Sequence, residues 1–371
     1  MKYYIIAGEA SGDLHGSNLM KSIKKYDPGA EFRFMGGDLM NAQGGTLARH
    51  FRDMAFMGLD AVMHLKLVLK NLKNCKIDIK SWGPDVVILI DFAGFNLPVA
   101  KYAHDNGIRT FYYISPKVWA WKESRVKKIK KYVDKLFVIF PFEIEYFRKF
   151  NIEVEYFGNP LSDVINEFDK QKDDLSTFIK KNELNTKPII ALVAGSRIAE
   201  VKRLLPEMIA ATKDKIDFQL VVAGAPSIPQ ELYKKIIREN DIRVVYGQTY
   251  NLISNSRIAI VTSGTATLET ALLKTPEVVV FKTNFITFCI GKLLVDIKFF
   301  SLVNLILGHL VVKELLQFNL PQKINNEVDK LINDDVYRSK MLEEFNVLEQ
   351  MIMHKGVSDR IAQKMVSLLE K

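Results

Sequence analysis

Short apolar runs alternate with helical patterns along most of this chain, and this alternation restricts the possible folds more than any other feature. The first series of strand candidates is Tyr3–Ala7, Phe32–Met35, Asp85–Ile90, Arg109–Ile114, Leu136–Phe140 and Glu153–Phe157, and the second is Ile189–Ala194, Gln219–Ala223, Arg243–Tyr246, Ile258–Thr262 and Val278–Phe281. Strands that are separated by helices pair in parallel and form sheets with helices on both faces. We therefore predict an α/β protein with two doubly wound, Rossmann-like domains.

A polar stretch separates the two series of strands. Residues 166–187 are rich in charge, which is typical of a linker. We place the first domain at 1–165, the second at 188–345 and a C-terminal helix at 346–371, because only helical patterns remain after about Asn325. A chain of 371 residues is long for one core but comfortable for two domains. Ligands of such domains bind beyond the carboxyl ends of the strands, and we expect a site in the cleft between the domains.

The composition is that of an ordinary globular protein. Hydrophobic residues make up 48% of the chain and charged residues 26%, which excludes general disorder. The two cysteines, Cys75 and Cys289, lie far apart and outside any Cys-x-x-Cys or Cys/His cluster, so we expect no disulfide, no zinc site and a reducing compartment. The first strand begins within three residues, which leaves no room for a signal peptide and predicts a cytoplasmic location.

Two basic stretches contribute much of the formal net charge of +9. Residues 122–135 carry seven lysines or arginines against Glu123 and Asp134, with apolar residues at helical spacing, and residues 63–80 carry five lysines among leucines. No RRM, KH or zinc-finger signature accompanies them, so we expect no nucleic-acid partner. A solvated helix face is the alternative for each stretch, but lysines beside leucines favour contact with an anionic membrane surface.

The most apolar region is 285–312. Lys292, Asp296, Lys298 and Asn304 interrupt it, so no apolar run approaches the roughly 18–20 residues that a membrane-spanning helix needs. Contact with a membrane surface, a groove for an apolar substrate and a buried core helix are all compatible with this composition.

The first strand runs into a turn of small and hydroxyl residues that opens a helical pattern. Such a turn presents backbone N–H groups to a ligand, and its candidate residues are Glu9, Ser11, Gly12 and Asp13. Its glycines are four residues apart, so it is neither a G-x-G-x-x-G fingerprint nor a P-loop. The two carboxylates would repel a pyrophosphate, which favours hydroxyl groups or a sugar as much as a phosphate. An ordinary strand-to-helix turn is the alternative.

Two turns of the second domain have the composition of a nucleotide-diphosphate pocket. Arg197 follows a strand directly before a helix, where it can grip a diphosphate with two charge-assisted hydrogen bonds. Ser263, Gly264 and Thr265 open another helix after a strand, and Glu269 lies one turn further on, where a carboxylate can accept both ribose hydroxyls. An ordinary helix cap is the alternative for each turn.

Asp91 ends a buried strand of the first domain, where it can act as a general base on a hydroxyl group. Its alternative role is to cap a helix that starts near Asn96. An aromatic-rich stretch that contains Ser115 ends the next strand, and we expect Ser115 and Asn96 to line the same cleft. The chain has no Asp-x-Asp, so we expect no metal, and Arg197 with the helix N-termini would stabilise a leaving diphosphate.

Several short motifs occur in the order in which a known family carries them. They are Ala7-Gly8-Glu9-Ala10-Ser11-Gly12-Asp13, Met57-Gly58-Leu59, Tyr113-Ile114-Ser115-Pro116 with Val118-Trp119-Ala120-Trp121, Pro141-Phe142-Glu143, Gly195-Ser196-Arg197, Ser263-Gly264-Thr265-Ala266-Thr267-Leu268-Glu269 and Lys313-Glu314-Leu315-Leu316-Gln317. Over nearly its whole length the chain resembles the lipid-A-disaccharide synthases, glycosyltransferases of two-domain GT-B architecture. The resemblance implies transfer of 2,3-diacylglucosamine from its UDP derivative to the 6-hydroxyl of 2,3-diacylglucosamine 1-phosphate, which yields a β-1,6 disaccharide and UDP.

The resemblance also implies roles for single residues. Asp91 resembles the proposed base, Arg197 the diphosphate-binding arginine and Glu269 the ribose ligand of GT-B enzymes. Asn304 resembles a polar residue of the donor site. Gly94 stands where the family has an aspartate, so Asp91 is the only carboxylate of its loop.

The resemblance further implies the partners and the location. These are UDP-diacylglucosamine and diacylglucosamine 1-phosphate, no cofactor, a peripheral position on the cytoplasmic face of a Gram-negative inner membrane, and a last helix that returns to the first domain. The sequence does not set the oligomeric state, and a homodimer is one alternative. Two other functions stay open, namely a UDP-sugar 2-epimerase-like enzyme and a non-catalytic nucleotide- or lipid-binding protein of the same fold.

Overall fold

The computed structural model describes residues 1–54, 65–119, 124–238, 240–283 and 298–370. They form two compact units. The first comprises Met1–Asp163 together with His354–Lys371, and the second comprises Val164–Met353.

The first unit is built on a parallel sheet of seven strands. The strands are β1 (Lys2–Ala7), β2 (Glu31–Gly36), β3 (Thr46–His50), β4 (Val86–Ile90), β5 (Arg109–Tyr113), β6 (Lys135–Val138) and β7 (Val154–Tyr156). Their order in the sheet is β3-β2-β1-β4-β5-β6-β7. All residues of β4 are buried, which explains why it reads as a continuous apolar run rather than an alternating one.

Helices connect and cover these strands. They are α1 (Ala10–Tyr26), α2 (Asp38–Ala42), α3 (Leu65–Trp82), α4 (Ala93–Asp105), α5 (Ser124–Tyr132) and α6 (Pro141–Arg148), and the boundary between the units falls inside α7 (Leu161–Asp169).

The second unit repeats the architecture with a parallel sheet of six strands in the order β10-β9-β8-β11-β12-β13. The strands are β8 (Ile189–Val193), β9 (Gln219–Gly224), β10 (Arg243–Tyr246), β11 (Ile258–Thr262), β12 (Glu277–Phe281) and β13 (Lys313–Leu316). The described helices are α8 (Leu175–Lys181), α9 (Ile198–Thr212), α10 (Gln230–Ile237), α11 (Thr249–Ser254), α12 (Thr265–Leu272), α13 (Leu302–Leu307), α14 (Leu320–Asn333) and α15 (Asp335–Ile352).

The last helix, α16 (Val357–Leu369), belongs to the first unit and packs against α1. The Asp359 carboxylate accepts a hydrogen bond from the Ser22 hydroxyl at 2.6 Å and pairs with the Lys25 ammonium at 2.8 Å. At the N-terminus of α16, the Asp163 carboxylate accepts a hydrogen bond from the Ser358 N–H at 2.7 Å.

The predicted fold class, two doubly wound α/β sheets with a helical C-terminal region, is confirmed. Each of the eleven predicted strands is present, whereas β3 and β13 were missed. Both are edge strands with polar residues, so their pairing depends on the neighbouring strand rather than on an apolar pattern. The 166–187 stretch, predicted as a linker, instead contains the end of α7 and all of α8. It belongs to the second unit, where Asp173 and Asn182 are hydrogen-bonded to Asn251 and Gln248.

Both sheets have the strand order that creates a topological switch point. Successive connections leave in opposite directions at β1 and β4 in the first unit, and at β8 and β11 in the second. The carboxyl ends of these strands are therefore the places where doubly wound folds bind ligands. The predicted Asp91, Arg197 and Ser263 all follow one of these strands directly or within a few residues.

One buried carboxyl group generates a stability prediction. Glu277 at the start of β12 is fully buried, neither of its carboxylate oxygens has a hydrogen-bond partner among the described residues, and burial raises the pKa of Glu277 well above its ordinary value. A raised native pKa means that the folded state holds a proton that the unfolded state releases. Glu277 therefore lowers stability increasingly as the pH rises above the unfolded-state pKa.

We expect Glu277→Gln to raise the free energy of unfolding at neutral pH, because the amide imitates the protonated acid. The advantage should be small near pH 4 and grow by at most about 1.4 kcal/mol per pH unit above it. Urea titrations between pH 4 and 8 measure this, with exposed Glu343→Gln as the control. An advantage that does not change with pH would contradict the assignment.

Candidate functional site

At the switch point of the first unit, the loops after β1 and β4 pack directly on each other. A Cβ atom on Gly8 would lie 2.3 Å from the ring of Phe92, so only glycine leaves room for this contact. The Phe92 ring also stacks on Phe95, with 5.6 Å between the ring centroids. The glycine-rich turn is thus shaped by the loop that carries Asp91, a partner more than eighty residues away in sequence.

Asp91 lies in a strained and firmly held loop. Asp91 and Phe92 both have left-handed backbones, with φ of 43° and 47°, which side chains other than glycine rarely adopt. The Asp91 carbonyl accepts hydrogen bonds from the Tyr112 hydroxyl at 2.5 Å and from the Asn96 amide at 2.8 Å. Asn96, predicted to lie at the site, is fully buried and acts on the Asp91 backbone rather than presenting its amide at the surface.

The other predicted residues of the first turn divide into two kinds. The buried Asp13 carboxylate accepts hydrogen bonds from three backbone N–H groups, those of Gly37, Leu39 and Met40, and so holds the start of α2. Gly12 is buried as well, and a Cβ atom there would lie 3.2 Å from the Cβ of Ala7. These two residues have structural roles. Glu9 precedes α1 with an extended backbone and Ser11 is exposed in its first turn, where both can meet a ligand.

Ser115 follows the carboxyl end of β5, as Asp91 follows that of β4. Glu143, a carboxyl group that the sequence analysis did not select, follows the carboxyl end of β6. Buried Ser115 donates to the Pro116 carbonyl at 3.1 Å. The Glu143 carboxylate accepts from the Ile139 and Phe140 N–H groups at 3.1 and 3.0 Å.

The protonation of Glu143 is shifted into the neutral range. Burial raises the pKa of Glu143 to about 7, the two backbone N–H groups and the Trp119 indole oppose the rise, and the Asp91 charge adds to it. The Pro-Phe-Glu motif could have identified Glu143, because a proline in the first turn with a glutamate two residues later is typical of a helix N-terminus.

In the second unit, Arg197 lies at the start of α9 after a tight turn. Gly195 has φ of 104°, and a Cβ atom there would lie 2.4 Å from Oε2 of Glu200. The other oxygen of Glu200 accepts a hydrogen bond from Nη1 of Arg197 at 2.9 Å. Glu200 therefore orients the guanidinium, which is half exposed beside the N-terminal N–H groups of α9.

The turn after β11 places Ser263, Gly264 and Thr265 at the start of α12. The Ser263 N–H donates to the Val280 carbonyl at 3.0 Å, and its hydroxyl donates to the Phe300 carbonyl at 2.7 Å. Gly264 has φ of 153°, and Thr265 is exposed. The turn thus presents backbone N–H groups, while its serine hydroxyl is used inside the protein.

Glu269 lies one turn into α12. Burial raises the pKa of Glu269 to about 7, opposed by a hydrogen bond from the Tyr250 hydroxyl. Tyr250 packs edge-to-face on Phe168 at 5.5 Å, and both line a cavity of about 440 Å³ together with the loop at Gly247. A carboxyl group held in this way can accept hydrogen bonds from a bound hydroxyl pair when it is ionised.

Asn304 has a structural role in this geometry. Its Oδ1 accepts from the N–H groups of Val311 and Val312, and its Nδ2 donates to the Val312 carbonyl and to Oε1 of Glu314, each at 2.8 or 2.9 Å. Four hydrogen bonds are the full capacity of an amide side chain. The predicted donor-site residue therefore fastens α13 to the strand that follows it.

Two further properties concern the described residues only. They contain no group of three or more His, Cys, Asp and Glu side chains that could hold a metal ion. None of the helices within them is both long enough and apolar enough to cross a membrane. The motifs Met57-Gly58-Leu59 and Ala120-Trp121, and the part of the apolar region from 285 to 297, lie outside the described residues.

The two sheets form a GT-B-like fold, which solved glycosyltransferases and nucleotide-sugar epimerases share. The S. aureus MnaA–UDP structure has a TM-score of 0.70 and 15% identity, covering 100% of this chain and 97% of that chain. The UDP-GlcNAc 2-epimerase from Neisseria meningitidis bound to UDP-GlcNAc has a TM-score of 0.65 and 14% identity, covering 100% of both. The calicheamicin glycosyltransferase CalG4 has a TM-score of 0.59 and 13% identity, covering 100% and 98%. Such identities establish the fold alone.

Sequence comparison identifies the family. The model of the lipid-A-disaccharide synthetase family matches residues 3–365. The lipid-A-disaccharide synthases of Syntrophus aciditrophicus and Myxococcus xanthus are 36% and 34% identical, over 99% and 98% of this chain and 97% of each relative. The chain belongs to the lipid-A-disaccharide synthase family. It is a glycosyltransferase enzyme that forms the lipid A disaccharide, and the epimerase alternative rests only on a similar fold.

We expect Asn96→Ala to loosen the Asp91 loop, because the amide donates to two carbonyl groups there, those of Ile90 and Asp91. Two buried acceptors would lose a partner beside a strained backbone, so the free energy of unfolding should fall by about 1–3 kcal/mol. Turnover should fall as well. Urea denaturation and steady-state rates measure both.

Asn106→Ala is the matched control, because its amide makes one exposed hydrogen bond, to the Tyr102 carbonyl, in the last turn of the same helix. Equal losses of stability in the two variants would contradict the role assigned to Asn96.

Proposed function

We propose that this enzyme transfers 2,3-diacylglucosamine from UDP-2,3-diacylglucosamine to the 6-hydroxyl of 2,3-diacylglucosamine 1-phosphate. The products are the β-1,6-linked disaccharide 1-phosphate and UDP, with inversion at the anomeric carbon. Family membership supports the reaction class. The observation that carries the residue assignment is Asp91, a carboxylate after the central strand β4, in a strained loop whose carbonyl is held by two side chains.

Asp91 is the proposed general base. It takes the proton of the acceptor hydroxyl as that oxygen forms its bond to the anomeric carbon, and the bond between this carbon and the UDP oxygen breaks. A general base must be held in a defined position relative to the hydroxyl group. The hydrogen bonds from Asn96 and Tyr112 to the Asp91 carbonyl hold the backbone of Asp91 in this way.

The proposed donor site lies in the second unit. Arg197 and the N-terminus of α9 stabilise the negative charge that develops on the leaving diphosphate, together with the N–H groups of Gly264 and Thr265. Glu200 supports this role, because its carboxylate accepts a hydrogen bond from Nη1 of Arg197 and so orients the guanidinium. Glu269 in its ionised form accepts the ribose hydroxyls, as acidic residues do in other dinucleotide folds.

Asp91→Ala should lower kcat by about 10²–10⁴-fold, the usual contribution of a general base, with little change in the affinity for UDP. UDP release and the product mass, measured with both substrates in mixed micelles, test this. Asp105→Ala is the control, because it removes an exposed carboxylate at the end of α4, the helix that follows Asp91.

A kcat for Asp91→Ala close to that of the unmodified enzyme would refute the base assignment. Conversion of UDP-N-acetylglucosamine without an acceptor would instead favour an epimerase. UDP binding with no turnover of any acylated donor would favour a binding protein.

We also propose that the enzyme is peripheral on an anionic membrane, on the cytoplasmic face of a Gram-negative inner membrane. Helix α3 supports this, because exposed Leu69 and Ile77 line a groove of about 330 Å³ with Lys73, Lys76 and Lys80. Apolar side chains can enter the lipid surface while the lysines meet anionic headgroups. Helix α5 adds basic residues from 125 to 131. Acylated substrates would be taken from the same surface.

Binding to vesicles that contain anionic lipid should weaken as salt rises from 0.05 to about 0.5 M, because the Debye length shortens. Replacing both Leu69 and Ile77 by serine should weaken it further at every salt concentration. Cosedimentation measures both effects, with the equally exposed Leu175→Ser as the control. Retention that salt does not change would point to an apolar anchor, and unchanged binding of the double variant would exclude the α3 groove.

A further inference from the structure

Two side chains near β13 hold the chain on either side of residues 284–297. Gln317 bonds the backbone of Thr283, the last described residue before this stretch. Glu314 bonds the backbone of Phe300 and Ser301, which follow it closely. Both belong to the Glu-Leu-Leu-Gln motif, to which the proposed function gives no task.

The Gln317 contact is a pair of hydrogen bonds. The Thr283 N–H donates to Oε1 at 3.1 Å, and Nε2 donates to the Thr283 carbonyl at 2.8 Å. Gln317 is nearly buried, and its own N–H donates to the Phe281 carbonyl at the end of β12 at 3.1 Å. The hydrogen bonds of Gln317 therefore extend the pairing of β12 with β13 past the last residues of the two strands.

The Glu314 carboxylate collects three donors. Oε2 accepts from the Phe300 N–H at 2.8 Å, and Oε1 accepts from the Ser301 N–H at 2.9 Å and from Nδ2 of Asn304 at 2.8 Å. Hydrogen bonds to an ionised acceptor are about twice as strong as neutral ones. Glu314 is thus the centre of the cluster that fixes residues 300–304.

Phe300 connects this cluster to the donor turn. Its N–H is held by Glu314, and its carbonyl accepts the Ser263 hydroxyl at 2.7 Å. The Phe300 ring also stacks on Phe281 of β12, with 6.2 Å between the ring centroids. The start of the 263–265 turn is consequently fastened through one residue to the Glu314 carboxylate.

We propose that Glu314 is a positioning residue for the donor site, acting through Phe300 on the turn at Ser263. The inference rests on the proposed function, in which this turn binds the diphosphate of the donor. In this proposal the Ser263 hydroxyl links the turn to Phe300, while the N–H groups of Gly264 and Thr265 bind the diphosphate. Misplacing such a group by about 1 Å can reduce activity by 10²-fold, which gives a remote carboxylate a measurable effect.

A double-mutant cycle on UDP binding tests this inference. Glu314→Gln keeps the size of the side chain but removes the charge and turns a donor toward the N–H groups, and Ser263→Ala removes the link itself. Each variant should weaken UDP binding by about tenfold in titration calorimetry. The double variant should bind about as weakly as the weaker single variant, because both changes break one connection.

Steady-state kinetics separate positioning from general destabilisation. Glu314→Gln should raise the KM for the UDP-sugar donor by a similar factor and leave the KM for the acceptor unchanged. Glu343→Gln, an exposed glutamate of α15, should change neither. If Glu314→Gln does not fold, Glu314→Asp replaces it, because it keeps the charge but withdraws the carboxylate by one methylene group. That variant should weaken UDP binding as well.

Each other outcome has a distinct meaning. Unchanged UDP binding in a folded Glu314 variant, strictly additive effects in the cycle, or equal rises of both KM values would overturn the inference. If Ser263→Ala and Arg197→Ala both leave UDP binding unchanged, the proposed donor site itself is wrong. If only the Arg197 variant loses UDP binding, the proposed donor site is supported and the proposed role of Glu314 is wrong.

Discussion

Parallel pairing of β1 with β4, and of β8 with β11, is the constraint on which both candidate sites depend. Each pair is fully buried, so its backbone hydrogen bonds leave little freedom for a change of register. Connections leave the two strands of a pair in opposite directions, and doubly wound folds bind ligands beyond the carboxyl ends of such a pair. Phe92, which follows Asp91, packs on Gly8 at one of these points, and Arg197 and Ser263 follow the two strands of the other.

The carboxyl groups inside the fold differ widely in how many hydrogen-bond donors surround them. The buried Asp13 and the partly buried Glu314 each accept hydrogen bonds from three donors, which replace lost water. Glu277 has no such partner among the described residues. Glu143 and Glu269 fall between these extremes, with some donors and a pKa of about 7. The two groups whose pKa is raised to about 7 lie at the candidate sites, where perturbed pKa values are common.

The residues that the sequence identified at the sites share one property. Asp91, Arg197 and Ser263 each follow a recognisable strand directly or within a few residues, so their position beyond the sheet could be inferred from the pattern alone. Glu314, which the sequence did not identify, is connected to a residue far away in the chain. Glu314 is 51 residues from Ser263 and reaches it through Phe300. Nothing in the spacing of residues in the Glu-Leu-Leu-Gln motif indicates that contact.

The amino-acid sequence by itself determined the two α/β sheets, nearly all of their strands and the loops that carry the site residues, because burial in a parallel sheet requires continuous apolar runs. Only the tertiary structure decided which groups the polar side chains bind. Asp13, Asn96 and Asn304 are residue types that often bind ligands, yet each of them is hydrogen-bonded to backbone groups of the protein. Burial favours polar groups that have a partner, and three-dimensional packing determines whether that partner is a ligand or the chain itself.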